Sequence, residues 1–177
     1  MTSRPAMKEI LLPAYSPCKH MRGKCAGFGK WRPRKGYVPR GFGGATRASD
    51  IRLVLIAAEP ANPVNEDYSR FKEPSAILEA VLSSAREHAS DQSAPFHKGV
   101  ASSVEACWKL DPAEAWERTW YTNTVLCSAR SLMGSVPARC ARTCIDTYLK
   151  DQLRSAPHAF VIALGYRARR RGLRAVS

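Results

Sequence analysis

The sequence predicts an α/β fold in which helices cover both faces of a central parallel sheet, giving three layers, α/β/α. Three short apolar runs, 51–60, 120–127 and 158–165, have the length and composition of strands, and the first is the continuous run expected of a strand buried on both faces. Segments with helical periodicity separate them, and strands that alternate with helices build parallel sheets. The chain of 177 residues fits a single domain, 1–177.

The remaining elements follow from local signals. Residues 17–49 are rich in glycine, proline and basic residues and have little periodicity, so we expect a long ordered loop. The stretch "SAILEAVLSSAREH" (75–88) carries its apolar residues on one face of a helix. A short helix is expected over 103–110, and Asp111 is placed to cap the next one. The last predicted helix covers 141–155.

The charge of the chain is strongly asymmetric. Lysine and arginine total 28 against 15 acidic residues, a net charge of +13. The basic residues cluster in 19–47 and 167–174, and neither segment contains Asp or Glu. A protein can be basic without a polyanionic partner, but this clustering favours nucleic acid. Arg169, Arg170 and Arg171 are the expected DNA contacts.

Nothing in the sequence predicts insertion into a membrane. No apolar run approaches the roughly 20 residues that span a bilayer. The N-terminal segment has only a short apolar patch, with no small-residue cleavage site after it. We therefore expect a cytoplasmic protein with no membrane partner, and a monomer.

Six cysteines suggest ligation rather than disulfides, which are rare in the cytosol. Cys140 and Cys144 are one helical turn apart and share a face, so they compete for one role. Cys107 falls in the apolar register of its short helix and is expected to be a core thiol.

The ends of the three predicted strands carry the motifs with chemical content. After the first strand, "LIAAEPANPVNEDYSRFKEPSAIL" supplies Glu59, Pro60, Glu66, Asp67 and Phe71. In parallel sheets such strand ends form the ligand site.

The second strand contains "TNTVLC" (122–127), with Asn123 and Cys127 at its carboxyl end. Two later motifs are "CIDTYLKDQL" (144–153) and "FVIALGYRA" (160–168). In order and spacing, the motifs of 17–168 resemble the uracil-DNA glycosylase superfamily, nearest its iron–sulfur branches, families four and five. The resemblance implies that family's fold and the excision of uracil from DNA.

The resemblance also implies roles in recognising the base. Phe71 would stack on a uracil that has been turned out of the DNA, and Pro60 would line the same pocket. Asn123 would read the base edge, because a carboxamide offers a donor and an acceptor that match uracil and reject cytosine. Taken alone, Phe71 would more often be a core aromatic, Asn123 the cap of a strand end, and Glu59 a solvated loop carboxylate.

A carboxylate is needed to stabilise the sugar cation or to activate water. Glu59 is the first candidate, because it directly precedes Pro60, where the best-known branch carries an aspartate. The iron–sulfur branches instead place a glutamate at the position of Ala58, so the branch and mechanism stay open. Glu66 and Asp67 are the second choices.

The family's His-Pro-Ser motif, whose histidine stabilises the uracil anion, has no counterpart before the last residue, Ser177. The family's fourth strand would also be missing. Either the chain is truncated, or it is a shortened homologue with weak or no catalysis. The alternative function is therefore a nucleic-acid-binding module with the same fold and no turnover.

By the same resemblance, four cysteines would hold a structural 4Fe-4S cluster: Cys18 and Cys25 from the N-terminal loop, and Cys127 and Cys144 from the later motifs. Zinc is the alternative metal, but zinc sites favour gaps of two to four residues within a pair, which neither pair has.

Overall fold

A four-stranded mixed sheet lies at the centre of the computed structural model, which describes residues 5–60, 66–90, 95–128 and 136–176. The strands are β1 (Gly43–Gly44), β2 (Leu53–Ala57), β3 (Thr119–Asn123) and β4 (Phe160–Ala163), in the order β1-β3-β2-β4. β2 pairs in parallel with β3 and with β4. The three strands expected from the apolar runs are therefore confirmed.

The helices flank these strands in chain order. They are α1 (Met7–Leu11), α2 (Pro74–Ser90), α3 (Pro95–Trp108), α4 (Pro112–Glu117), α5 (Ala138–Cys144), α6 (Lys150–Ser155) and α7 (Gly165–Val176). Asp111 caps α4 as expected, since its Oδ1 accepts a hydrogen bond of 2.9 Å from the N–H of Ala113. The helix expected over 103–110 is longer than predicted, because it begins at Pro95.

The sheet is mixed rather than wholly parallel, which corrects one part of the predicted fold. β1 comes from the N-terminal loop and pairs antiparallel with β3. Gly44 has a φ of +105°, and a Cβ there would lie 2.0 Å from the carbonyl oxygen of Thr119, so the close approach of the two strands requires glycine.

Both faces of the sheet are covered, as a three-layer α/β/α arrangement requires. Val54, Ile56 and Trp120 face a core that includes α1, α2 and the helical segment after residue 144. Leu53 and Leu55 face the opposite way and pack against α3 and α4. This alternation is the two-residue period of a strand, and it separates two cores across one sheet.

A π-helical turn, Ile145–Leu149, joins α5 to α6. It carries Tyr148 toward the N-terminal loop, while α6 turns Gln152 toward the sheet. The indole N–H of Trp120 donates a hydrogen bond of 2.8 Å to Oε1 of Gln152, and both side chains are fully buried. The turn therefore sits between a contact with the loop and a contact with β3.

β4 is an edge strand with exposed apolar side chains. Phe160 is 80% exposed, and Val161 and Ile162 are also exposed. Gly165, at φ +84°, turns the chain from β4 into α7. Among the described residues, none of the helices combines the length and the apolar character needed to cross a bilayer.

Candidate functional site

Five of the six cysteines line one cavity beneath the carboxyl end of β3: Cys18, Cys25, Cys127, Cys140 and Cys144. His20 and Tyr148 also line it, and its volume is about 400 Å³ when the open mouth is included. More than 100 residues separate Cys25 from Cys127, so the fold brings the two N-terminal thiols to the three later ones. The four cysteines expected as cluster ligands all line this cavity, and so does Cys140.

Cys107 is not part of this cavity. It is exposed on α3, so its assignment as a core thiol is wrong. The buried stripe of α3 runs through Val100 and Val104 and on to Trp108, at helical spacing. Cys107 follows Val104 by three residues and lies at the margin of that stripe, where its side chain is exposed.

Polar contacts fix three of the cavity thiols. The hydroxyl of Tyr148 donates to Sγ of Cys18 at 3.4 Å, and the N–H of Leu126 donates to Sγ of Cys144 at 3.4 Å. Sγ of Cys140 is 3.5 Å from the carbonyl oxygen of Lys24. The N-terminal loop, the end of β3 and α5 are therefore tied together at the cavity.

Burial raises the pKa of Cys25 and of Cys144 to about 12, and burial also raises the pKa of Cys127. The neighbouring thiols act in the same direction on all three. In the metal-free protein, Cys25, Cys127 and Cys144 are therefore protonated at neutral pH. A bound cation would reverse this, since thiolates are the ligands that iron–sulfur clusters and zinc take.

The donor set fits such a group in its chemistry. In arrangement, however, no three His, Cys, Asp or Glu side chains among the described residues are grouped as metal ligands. The thiols share a cavity without forming a coordination sphere.

Asn123 ends β3 at the site edge of the sheet and is only 2% exposed. Its Nδ2 donates a hydrogen bond of 2.9 Å to the carbonyl oxygen of Gly41, and its Oδ1 accepts one of 3.3 Å from the hydroxyl of Tyr121. These contacts use one N–H and one lone pair, so a carboxamide keeps one of each for a further partner. The site therefore holds the amide in a fixed orientation.

Gly41 packs directly on this amide. Its φ is +82°, and a Cβ there would lie 1.9 Å from Nδ2 of Asn123 and 3.1 Å from Cγ of Pro60. Only glycine permits both the left-handed backbone and this approach. Pro60 and Asn123 thus meet around one glycine.

Glu59, at the end of β2, is held by two arginines of α7. Oε1 accepts a hydrogen bond of 3.0 Å from Arg167, and Oε2 accepts one from Arg171. The carboxylate side chain is only 9% exposed. Nη1 of Arg171 is also 3.5 Å from Oγ1 of Thr124, the residue after Asn123. The negative charge of Glu59 is therefore neutralised within the site.

The other two acidic candidates lie in different settings. Glu66 accepts hydrogen bonds from the hydroxyls of Tyr68 and, at 2.8 Å, of Ser84. Asp67 is exposed and accepts from both the hydroxyl and the N–H of Ser69, and these two bonds lower the pKa of its carboxyl. Asp67 thus organises a surface turn.

Arg40 interacts electrostatically with Glu66 and with Tyr121, the hydrogen-bond partner of Asn123. Burial lowers the pKa of this guanidinium, while Glu66 and Tyr121 act in the opposite direction. Its Nε donates to the hydroxyl of Ser128 at 3.1 Å.

Phe71 is half-buried against the core that includes α2, and the guanidinium carbon of Arg70 lies 4.9 Å from its ring centroid. Arg169 and Arg170 are exposed on α7, whereas Arg171 is turned inward to Glu59. The sequence reasoning missed Arg167 and Gly41 as parts of the site. The glycines of "RGFGG" were a signal for Gly41, but nothing local distinguished Arg167 from its neighbours.

A scan against models of known protein families finds no match to this chain, and a search of curated proteins finds none.

Proposed function

We propose that the protein is a DNA glycosylase of the uracil-DNA glycosylase fold, which removes uracil from DNA by hydrolysing the N-glycosidic bond. The position of Asn123 carries this proposal. Its carboxamide is fixed at the end of β3 by Gly41 and Tyr121, with one donor and one acceptor left to read a base edge. Pro60 lies beside it.

Cleavage leaves positive charge on the sugar and negative charge on the uracil. Glu59 follows the end of β2 by two residues, and it would stabilise the sugar cation or orient water. Its two guanidinium partners must first move away, and DNA phosphates would compete for them. Arg171, next to Thr124, would supply the positive charge that the departing uracil anion needs.

We also propose a structural 4Fe-4S cluster in the thiol cavity. Cys18, Cys25 and Cys127 would hold it together with Cys144, and Cys140 is the competing fourth ligand. When bound, the cluster would link the N-terminal loop to the end of β3, and zinc is the alternative occupant.

One observation favours a second candidate function, a DNA-binding module without turnover. The charge of Glu59 is neutralised by two arginines, and the amide of Asn123 is closed in by Gly41. A site that stays in this state would bind DNA without cleaving the glycosidic bond.

Uracil release from a single-stranded oligonucleotide, measured with binding to the same strand and to a thymine control, separates the two candidates. Glu59→Gln should abolish release and leave binding intact or tighter, because two arginines are freed. Glu114→Gln, at an exposed pair on α4, is the matched control. Asn123→Asp should relax the preference for uracil. If the wild type binds both strands equally and never releases uracil, only the binding module remains. Release that survives Glu59→Gln would move the catalytic role to Glu66 or Asp67.

A further inference from the structure

Two aromatic side chains stand out on the surface formed by β4 and the start of α7. Phe160 on β4 is 80% exposed, and Tyr166 in the first turn of α7 is 74% exposed. Such large apolar surfaces are costly to leave in water, so clustered ones mark binding surfaces. Within the described residues, no other aromatic side chain is among the exposed large hydrophobic ones.

The strand between them is also uncovered. The N–H of Phe160 donates to the carbonyl oxygen of Arg52, just before β2, and the N–H of Leu164 donates to that of Ile56 within β2, at 2.8 Å each. Because hydrogen-bonding directions alternate along a strand, Val161 and Ala163 direct their backbone groups to the free edge of the sheet. The edge strip therefore begins at Phe160, at the amino end of β4, and ends at Tyr166, just after the carboxyl end of β4, and the strand makes up about 10 Å of its length.

The charge next to this strip is wholly positive along α7. The helix contains five arginines and no acidic residue, and Arg169 and Arg170 are exposed. Arg167 keeps half of its side chain exposed while it binds Glu59. A polyanion lying on α7 would thus lead into the site at the strand ends.

We propose that this strip binds single-stranded nucleic acid, with bases stacked on Tyr166 and Phe160 and phosphates on Arg169 and Arg170. The inference rests on the proposed function and specifies its substrate form. Exposed rings beside guanidinium groups are the combination that binds unpaired bases, whereas a duplex keeps its bases stacked inside. Pairing of β4 with a second copy is disfavoured, because two-fold contact would bring two basic helices together.

The test uses a labelled thymine-only strand and a mixed-sequence duplex of equal length, neither containing uracil. Phe160→Leu and Tyr166→Leu remove the rings and keep apolar side chains. Each should weaken single-strand binding by about 5- to 150-fold without changing its salt dependence. Phe160→Tyr and Tyr166→Phe keep a ring and should retain binding. The exposed positions should leave the unfolding midpoint unchanged.

The double variant Arg169→Gln/Arg170→Gln should instead reduce the slope of log affinity against log salt by about 1.4. Duplex binding should be unaffected by loss of the rings. The proposal would be overturned if both leucine variants bound the single strand as tightly as the wild type, or if they lost equal affinity for the duplex. It would also be overturned if sedimentation showed a dimer that Phe160→Leu dissociates, because the strip would then bind a second copy of the chain. Because neither probe contains uracil, failure of uracil release leaves this test unaffected.

Discussion

Glu59 and Arg171 are 112 residues apart in the sequence and form a direct ion pair between the segment that follows β2 and the middle of α7. Glu59 is nearly buried, and Arg171 is 18% exposed. Arg167 binds the other carboxylate oxygen. The pair therefore fastens the C-terminal helix over the edge of the sheet where the candidate site lies.

Arg171→Gln should lower the free energy of unfolding by about 1–3 kcal/mol, because it leaves a largely buried carboxylate with one partner fewer. Urea denaturation measures this. Arg170→Gln is the matched control on the same helix, and as an exposed residue it should change stability by less than about 0.5 kcal/mol. Equal effects of the two substitutions would contradict a structural role for the pair.

Gly41→Ala should displace the amide of Asn123, because the new Cβ would overlap Nδ2 and the backbone is left-handed. We expect a loss of about 1–3 kcal/mol in stability and a loss of discrimination between uracil and thymine strands. Gly99→Ala is the control. It lies within α3 with open space around it, and should stabilise the protein by about 0.5–1 kcal/mol.

Alkylation of metal-free protein at about pH 8 should label Cys107 long before the cavity thiols. Cys107 is exposed, whereas a pKa raised from 9.0 to about 12 lowers the thiolate fraction of Cys25 and Cys144. That fraction falls roughly a thousandfold, and only the thiolate reacts. Mass spectrometry of peptides over time gives the order, and rapid labelling of Cys144 would refute the burial of the cavity.

The stability of the metal-free protein should fall as pH rises above about 9. The folded state keeps the protons of Cys25 and Cys144, while the unfolded chain releases them near pH 9.0. This contribution is complete below the unfolded pKa and is lost as pH rises toward about 12. Burial of Tyr15 and Tyr121 acts in the same direction. Denaturation midpoints across this range should fall less steeply in Cys144→Ser, whose hydroxyl does not ionise there.

Replacing Cys18, Cys25 or Cys127 with serine should in each case remove the brown colour that we expect of protein purified without oxygen. Each substitution should also lower the soluble yield. Cys140→Ser and Cys144→Ser then identify the fourth ligand, since only one of them should lose the iron. Cys107→Ser is the control. Colourless wild-type protein with one equivalent of zinc would contradict the cluster.

Local patterns in the sequence predicted the elements that have strong local signals. The apolar runs predicted β2, β3 and β4, because short continuous apolar segments favour strands, although β4 is an exposed edge strand rather than a buried one. β1 consists of two glycines and carries no side-chain pattern, so it was missed. The helix from Pro95 was predicted too short, and this error gave Cys107 the wrong environment.

Local patterns in the sequence did not predict the contacts of the candidate site. The amide of Asn123 contacts Gly41, 82 residues away, and Glu59 contacts Arg167, 108 residues away. Neither pairing leaves a trace in the periodicity or composition of either segment. In the sequence, nothing distinguishes the arginines of α7 from surface cations, although Arg171 turns inward to pair with Glu59.

The π-helical turn Ile145–Leu149 sets the relative orientation of the two α-helical parts that it joins. Before the turn, Cys140 and Cys144 face the thiol cavity, and after it Gln152 faces Trp120. If the same residues formed an unbroken α-helix, every residue after the turn would be rotated by about 100° around the axis, because the wider turn absorbs one residue. These two orientations would then no longer coexist. The cavity and the sheet are thus kept in register by one π-helical turn.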